Sequence, residues 1–120
     1  MPDFTIEEKE RWRSYQRGSV VAVTWDQIDA TNTTGDNFEG PQYADKTVQI
    51  TGTWDGATVL IQGSNDATTY FTLTDPQGNA VSFTADGMET IMESPLYIRP
   101  FRSVAGGGTV DVNVVMTCRA

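Results

Sequence analysis

The sequence predicts an all-β fold: an antiparallel β-sandwich of jelly-roll or Greek-key type, with about eight strands and an N-terminal arm or short helix. Within residues 46–103, short runs rich in Val, Ile, Thr, Phe and Tyr recur roughly every ten residues. Turn signals end these runs at Asp55-Gly56, 63–66, 75–79 and Asp86-Gly87. Such spacing is typical of packed hairpins. A flattened barrel fits the pattern nearly as well, and the pattern leaves the order of the strands open.

Eight segments carry strand patterns, at residues 19–25, 48–54, 59–61, 71–73, 81–83, 90–92, 96–101 and 109–118. The last is the clearest, because apolar residues at even positions from Val110 to Cys118 alternate with mostly polar ones. Asp55-Gly56 predicts a two-residue hairpin between the second and third strands. The turn at 75–79 is expected to join the fourth strand to the fifth.

Two segments do not follow this pattern of short strands and turns. Residues 1–18 are predicted to be an N-terminal arm, followed by a single β-sandwich domain over residues 19–120. Thr5-x-x-Glu8 matches a helix capping box and Gly18 is a suitable helix stop, so residues 5–16 are expected either to be helical against a partner or to form an arm with little regular structure. Residues 26–45 are predicted to form a polar loop, of a length that is usually functional or in contact with a partner.

The amino-acid composition disfavours several classes of function. The chain has 120 residues, 16 acidic against 8 basic, and no histidine. Four basic residues lie in the first 17 positions, so the remaining body carries four basic against twelve acidic residues. This balance disfavours nucleic-acid binding. We expect no membrane span, since no apolar run approaches about 20 residues. With no signal-peptide pattern and one cysteine, the chain is expected to be made in a cytoplasm and to be soluble.

The residue types disfavour catalysis, cofactors and metal sites. Without histidine, Ser-His-Asp and Cys-His arrangements and the usual zinc sites are excluded. Cys118 lies on the apolar face of a strand and is expected to be a buried small hydrophobe. Glu89 paired with Glu93 or Asp111 could support glycoside cleavage, but solvated surface charges are the favoured interpretation. The Asp and Asn residues of the turns could bind calcium, although they are also the standard turn formers. These candidates are Asp55, Asn65, Asp66, Asp75, Asn79 and Asp86.

The aromatic residues divide into two groups. Trp25 and Trp54 fall on the apolar faces of predicted strands and are expected to lie in the core. Trp12 and Tyr15 lie in the arm, beside Arg11 and Arg13. Aromatic residues next to arginines are typical of interface hot spots, so the arm is a candidate partner-binding segment.

Several strings resemble small virion proteins of tailed bacteriophages, of the capsid decoration (cement) type. They are VQITGTWDGATV at 48–59, QGSND at 62–66, the Phe71-x-Leu73-Thr74-Asp75-x-x-Gly78 pattern and Pro95-x-Tyr97-Ile98-Arg99-Pro100. The resemblance covers residues 46–120 and leaves out the arm and the 26–45 loop. It implies a structural protein that binds the outside of a capsid and cements neighbouring major capsid subunits, with no cofactor and with homo-oligomers on the capsid.

Under that resemblance, Phe4, Trp12 and Tyr15, with Arg11 and Arg13, are expected to anchor the arm to the capsid. Two other classes remain open. A carbohydrate-binding module would display a planar strip of exposed Trp and Tyr, whereas buried Trp25 and Trp54 favour a scaffold. A tail or connector component of the virion would share the fold and differ in its location in the particle.

Overall fold

Ten strands and no helix make up the described part of the chain, which is residues 4–8, 20–29, 34–40, 43–104, 106 and 110–119 of a computed structural model. The strands are β1 (Phe4–Glu8), β2 (Val20–Asp29), β3 (Phe38–Glu39), β4 (Asp45–Thr53), β5 (Thr58–Ser64), β6 (Phe71–Thr72), β7 (Ser82–Phe83), β8 (Gly87–Ile91), β9 (Tyr97–Val104) and β10 (Asp111–Arg119). Each of the eight predicted strands has a counterpart, so the all-β prediction is confirmed. Within the described residues, no helix has the length and apolarity that crossing a bilayer requires.

The strands form two antiparallel sheets. The first sheet has the order β1-β2-β10-β4-β8, and the second has the order β3-β9-β5-β6, with β7 also paired to β5. The pairs β2–β10, β3–β9, β4–β8 and β5–β6 nest inside one another along the chain. A long hairpin rolled up on itself gives this nesting, which is the jelly-roll arrangement. The sandwich alternative is therefore confirmed over the flattened barrel.

Alternation of side chains builds the core between the two sheets. In β10, Val112, Val114 and Met116 point inward and are fully buried, while the residues between them face outward. In the second sheet, Val59 and Ile61 of β5 point back toward them. Each such side chain contributes roughly 1.5–3 kcal/mol when it is fully buried. The core therefore holds the two sheets together over their central strands.

The Asp55-Gly56 turn forms, but the hairpin predicted around it is wrong. Both residues have positive φ, 45° and 84°, as a tight turn with two left-handed residues requires. The amide of Ala57 closes the turn by donating to the Trp54 carbonyl at 2.8 Å. However, β4 belongs to the first sheet and β5 to the second. The chain thus uses the turn to cross between sheets, which local sequence does not specify.

The turn at residues 75–79 does join a hairpin, as expected. Thr74 and Ala80 pair as an antiparallel bridge, and Val81 donates its amide to the Leu73 carbonyl at 2.8 Å. Asp75 accepts backbone hydrogen bonds from Gln77 and Asn79 through Oδ1, at 3.0 and 2.9 Å. The carboxylate therefore stabilises the turn.

Residues 5–16 were expected to be a helix or an arm with little regular structure, and both alternatives are wrong for the part that the structure describes. Phe4–Glu8 form β1, an edge strand antiparallel to β2, with Phe4 opposite Trp25 and Glu8 opposite Val21. Extended backbone gains a row of hydrogen bonds from β2 here, which outweighs a capping box in a segment too short to be a stable isolated helix. Residues 9–16 lie outside the described residues.

The loop predicted for residues 26–45 is partly strand and partly core. The strand β2 continues to Asp29, and Ile28 is fully buried. Farther along, Phe38 of β3 pairs with Ile98 of β9 and is buried, with its ring stacked on Tyr43. Because β3 has only two residues, it leaves no periodic pattern in the sequence. The segment therefore closes the second sheet at its β9 edge.

Candidate functional site

The outer surface of the second sheet carries aromatic residues around one arginine. Odd-numbered residues of β9 point outward while the even-numbered Ile98, Pro100 and Arg102 are buried. The register places Leu60 of β5 opposite Phe101 and Gln62 opposite Arg99. We call this surface the β9 face, defined by Leu60, Gln62, Tyr70, Tyr97, Arg99 and Phe101. All six residues are half-buried.

Arg99 is held in one position at the centre of the β9 face. Its Nε donates a hydrogen bond to Gln62 Oε1 at 3.1 Å. Its guanidinium carbon lies 3.5 Å from the centroid of the Tyr70 ring and 5.9 Å from that of Phe101. Tyr70 is itself fixed, because its hydroxyl donates to Asn37 Oδ1 at 2.8 Å. The contacts with Gln62 and Tyr70 therefore fix the guanidinium in place.

A groove lies beside the β6 edge of the same sheet. We call it the edge groove; it has a volume of about 630 Å³ and is lined by Gly63, Ser64, Asn65, Asp66, Thr69, Phe71, Leu73, Glu93, Ser94 and Pro95. Phe71 is 71% exposed, which is unusual for a phenylalanine in a strand. The groove therefore combines one open aromatic ring with hydroxyl and carboxylate groups.

Both carboxylates of the edge groove already serve the fold. Oδ1 of Asp66 accepts hydrogen bonds from the amides of Thr69 and Thr68, at 2.8 and 2.9 Å, and these bonds lower the pKa of Asp66. Glu93 accepts hydrogen bonds from the amide and the hydroxyl of Thr74. Burial raises the pKa of Glu93, but the Thr74 bonds outweigh burial and hold the pKa below its ordinary value. Neither carboxyl is set up as a general acid, which needs a raised pKa.

A buried lysine lies behind the edge groove. Lys46 of β4 is only 2% exposed, and its Nζ donates to the carbonyls of Tyr43 and Ala44, at 3.1 and 3.3 Å, and to Ser94 Oγ at 3.0 Å. Burial lowers the pKa of Lys46, and attraction to Cys118, Asp45 and Glu93 opposes this shift only in part. Lys46 therefore ties the segment before β4 to the groove wall at Ser94.

Cys118 lies opposite Lys46 in the neighbouring strand and is fully buried, so its prediction as a buried small hydrophobe is confirmed. Burial raises the pKa of the thiol to about 11, despite the opposing attraction of Lys46. A thiol with so high a pKa is a poor nucleophile near neutral pH.

Stability should fall between pH 9 and pH 11 because of Cys118. The unfolded chain loses the thiol proton near pH 9 and the folded chain near pH 11, so over this range the folded state binds more protons and rising pH favours unfolding. Two pKa units correspond to about 2–3 kcal/mol. Urea unfolding of the wild type and of Cys118→Ala across this range measures the effect. The stability difference between the two should shrink as pH rises; a constant difference would show that Cys118 does not titrate this way.

The structure places the residues predicted for the arm site only in part. Phe4 lies in the edge strand β1. The other four predicted arm residues lie outside the described residues: Arg11, Trp12, Arg13 and Tyr15. Of the two predicted core tryptophans, Trp25 is 1% exposed, as expected. Trp54 is half-buried against the core and donates its indole N–H to Asp86 Oδ1 at 2.8 Å.

The carboxylates considered for chemistry do not converge. Glu89 and Asp111 are exposed on strands separated by β4, as expected for surface charges. Glu93 is not a solvated charge, which corrects that expectation, because it is half-buried and bonded to Thr74. Over the residues that the structure describes, no three Asp, Glu or Cys side chains form a cluster that could hold a metal ion. Asn65, another turn residue, accepts the Leu96 amide at 2.9 Å and so joins two loops.

The β9 face was not among the sites predicted from the sequence. The alternation of Tyr97, Arg99 and Phe101 with Ile98 and Pro100 was visible in the sequence and would have placed the first three on one surface. The contribution of Tyr70 was not visible, because it comes from a different part of the chain through tertiary packing.

Comparison with solved structures shows similarity of fold. The SPBc2 prophage-derived protein YomS superimposes with a TM-score of 0.61 over 84% of this chain and 95% of that chain, at 13% sequence identity. The adhesin domain of Lys-gingipain from Porphyromonas gingivalis W83 gives a TM-score of 0.41 over 99% of this chain and 84% of that chain, at 9% identity. Fe(II) HppE gives a TM-score of 0.40 over 83% of this chain and 42% of that chain, at 10% identity.

No protein-family model matches the sequence, and no curated protein matches it significantly. The similarity to YomS extends over nearly the whole of that protein, so the two chains have comparable size as well as comparable fold. At such low identity, shared residues carry no information on a common activity. The chain is thus a jelly-roll β-sandwich similar in fold to a prophage-derived protein.

Proposed function

We propose that this protein is a structural virion component of a tailed bacteriophage that binds the outside of the capsid and cements neighbouring major capsid subunits, without catalysis. In this role it acts on the capsid surface, with the major capsid protein as its partner and with further copies of itself around a symmetry axis. This role requires the protein to contact several neighbouring subunits at the same time.

The observation that supports this proposal most directly is the β9 face. Tyrosine and arginine are the residue types enriched at protein–protein hot spots, and here they lie side by side on one sheet surface. Arg99 is already held by Gln62 and Tyr70, so binding requires little further ordering of its side chain. A preorganised surface of this kind suits a permanent contact in an assembled particle.

The fold and the charge agree with this role. The prophage-derived protein YomS has a similar fold over a comparable length, so at least one prophage-derived protein uses such a fold. The body after Arg17 is strongly acidic, which disfavours adhesion to the packaged nucleic acid. A rigid β-sandwich can also transmit load between subunits without rearranging.

The N-terminal arm is the second proposed contact. The edge strand β1 leads directly into the segment that carries Trp12 and Tyr15, next to Arg11 and Arg13. Aromatic and arginine side chains of this kind would add contact area on the capsid surface. Together, arm and β9 face would engage different subunits, which is what cementing requires.

Deleting residues 1–17 is expected to weaken binding to capsids by at least about a hundredfold, since several hot-spot side chains of roughly 1–2 kcal/mol each are lost together. Binding can be measured by co-sedimentation of the purified protein with capsids that lack it. Unchanged occupancy of the capsids would remove the arm from the proposal.

The deletion also removes β1, so a milder variant is needed as a control. Trp12→Ala/Tyr15→Ala leaves the sequence of β1 in place. If this double variant binds as weakly as the deletion, the aromatic side chains carry the effect. If it binds like the wild type while the deletion does not, β1 or the fold of the first sheet is responsible.

Imaging of the mature particle at side-chain resolution tests the proposal as a whole. Density for this chain between major capsid subunits is the expected result. Density in the tail or connector would replace cementing with that role, and absence from the particle would reject a structural virion function.

The carbohydrate-binding alternative has less support, because Trp25 is buried and Trp54 is half-buried and bonded to Asp86.

A further inference from the structure

The terminal amino groups of Arg99 meet no hydrogen-bond acceptor within the part of the chain that the structure describes. Among the described residues, Arg99 makes one hydrogen bond, from Nε to Gln62, and ring contacts to Tyr70 and Phe101. A guanidinium has five N–H donors, so the four on the two terminal nitrogens have no acceptor in this part of the chain. Nε is already used, and the open side of the group is therefore its end.

The end of a guanidinium matches a carboxylate. Two parallel N–H groups donate to the two carboxylate oxygens, in a bidentate arrangement that is stronger and more specific than a single bond. Stacking on Tyr70 and the bond to Gln62 fix the plane of Arg99, so the direction of approach is also fixed. We propose that Arg99 is the anchor of the β9 face and receives, end-on, an Asp or Glu side chain of a protein partner.

The surroundings of Arg99 favour a protein over other carriers of a carboxylate. Leu60 and Phe101 lie opposite each other beside it and offer an apolar patch that a neighbouring aliphatic or aromatic side chain would bury. A sugar acid gains less at this position, because one face of the Tyr70 ring, which could otherwise stack on a sugar, is covered by the guanidinium. The partner surface therefore presents a carboxylate next to an apolar side chain.

Charge sets a further limit on the partner. The body of the chain carries four basic against twelve acidic residues, so a highly acidic partner would be repelled as it approached. Of the four basic residues in the body, Lys46 and Arg102 are buried. Arg99 is thus a local positive point on an acidic protein, suited to a single carboxylate in a mostly uncharged surface. Identifying the partner as the major capsid protein rests on the proposed function; the chemistry of the contact does not.

Arg99→Gln is expected to reduce binding to capsids that lack the protein by at least about tenfold, in the co-sedimentation assay. Arg99→Lys keeps the positive charge but loses the two parallel N–H donors of the guanidinium, so it should bind more tightly than Arg99→Gln and less tightly than the wild type. The matched control is Arg119→Gln, which makes the same charge change at an exposed position on the other sheet and should bind like the wild type. Each variant is first checked for an unchanged unfolding midpoint.

Binding of Arg99→Gln equal to the wild type would overturn the proposal while leaving the capsid role intact. An equal loss in Arg119→Gln would also overturn it, because net charge alone would then explain the effect. Full binding by Arg99→Lys would show that a positive charge at this position is sufficient, and would overturn the bidentate contact.

A second experiment does not depend on the capsid. The protein labelled with ¹⁵N is titrated with the peptide acetyl-Phe-Glu-Phe-amide, and NMR follows the Nε–H signal of Arg99 and the amides of β9. We expect saturable shifts with a dissociation constant on the order of millimolar, and none with the glutamine version of the peptide or with Arg99→Gln. No shift with the glutamate peptide would overturn the proposal.

Glucuronic acid serves as the sugar arm of the same titration. Shifts from glucuronic acid that equal those from the glutamate peptide would overturn the assignment to a protein partner. If the wild type fails to bind capsids but the glutamate peptide shifts Arg99, the proposed function fails and the carboxylate contact stands with another protein as partner.

Discussion

Trp25→Ala is expected to lower the free energy of unfolding by about 3–5 kcal/mol, a large share of the roughly 5–15 kcal/mol that a domain of this kind has. Trp25 is 1% exposed and lies in β2 of the first sheet, opposite Val114 of the central strand β10. Its indole N–H donates to the Asp36 carbonyl at 2.9 Å. Truncation therefore opens a cavity and removes a hydrogen bond that fixes the chain ahead of β3.

The packing around Trp25 shows why the cavity would not close. A Cβ placed on Gly35 would lie 2.5 Å from Trp25 Cδ1 and 2.8 Å from Pro100, so backbone already touches the ring on that side. Gly35 also donates its amide to the Pro100 carbonyl at 3.0 Å, which holds the segment in place. Surroundings that are tied down in this way relax little, which puts the cost in the upper part of the range.

Urea unfolding followed by circular dichroism measures the loss, and Trp54→Ala is the matched control. Trp54 undergoes the same truncation at a half-buried site on the rim of the core, where its indole bonds to Asp86. Its loss should be about 1–2 kcal/mol. If Trp25→Ala cost no more than Trp54→Ala, the position assigned to Trp25 at the centre of the core would be wrong.

The sequence was sufficient to predict the strands whose residues alternate over several positions. In β10, the inward residues from Val112 to Cys118 follow a strict period of two, and the burial pattern repeats it. The turn at Asp55-Gly56 was equally predictable, because few residue pairs accept positive φ at both positions. Both features are local, so local sequence specifies them.

Features that depend on distant contacts were not predictable. β1 is extended because β2 offers it a hydrogen-bonding edge, although Thr5 and Glu8 alone fit a helix start equally well. Phe38 is buried because β9 lies beside a strand of only two residues. Whether β5 pairs with β4 or crosses to the other sheet is likewise decided by the nested pairing of the whole chain.

The candidate site shows the same division. Tyr97, Arg99 and Phe101 share a face by alternation within one strand. The orientation of Arg99, however, depends on Gln62 from β5 and on Tyr70 from the segment before β6. The sequence alone shows an arginine between two aromatic residues. The contacts with Gln62 and Tyr70 show in addition how its guanidinium is oriented, with no acceptor among the described residues for its terminal nitrogens.

Lys46→Met is expected to lower the free energy of unfolding by about 2–4 kcal/mol, although it replaces a buried ammonium with an apolar side chain of similar length. Exchanging buried charges for hydrophobic residues can be neutral when every partner is replaced as well. Here the carbonyls of Tyr43 and Ala44 cannot be replaced, and both lose their donor together with Ser94 Oγ. Urea unfolding near neutral pH measures the loss, and a variant as stable as the wild type would show that the lysine contributes nothing net.

Adding Ser94→Ala separates the hydrogen bond between Lys46 and Ser94 from the effect of burying the lysine charge. In the wild type, Ser94→Ala removes one partner of Lys46; in Lys46→Met it removes a hydroxyl that has already lost that donor. Ser94→Ala should therefore cost less in the Lys46→Met background, and the double-mutant cycle gives the coupling. Equal costs in the two backgrounds would mean that Lys46 does not act through the groove wall.

The pH dependence of stability is an independent test of Lys46, because its sign follows from the direction in which the pKa of Lys46 is shifted. Burial lowers the pKa of the folded state below the ordinary 10.5, so between the folded value and 10.5 the unfolded chain binds more protons and rising pH favours folding. The advantage of the wild type over Lys46→Met should therefore grow as the pH approaches 10.5. Both proteins are compared in a Cys118→Ala background, because the thiol titrates in the same range with the opposite sign. An advantage that shrinks over this range would mean that the ammonium is stabilised by its partners more than it is penalised by burial.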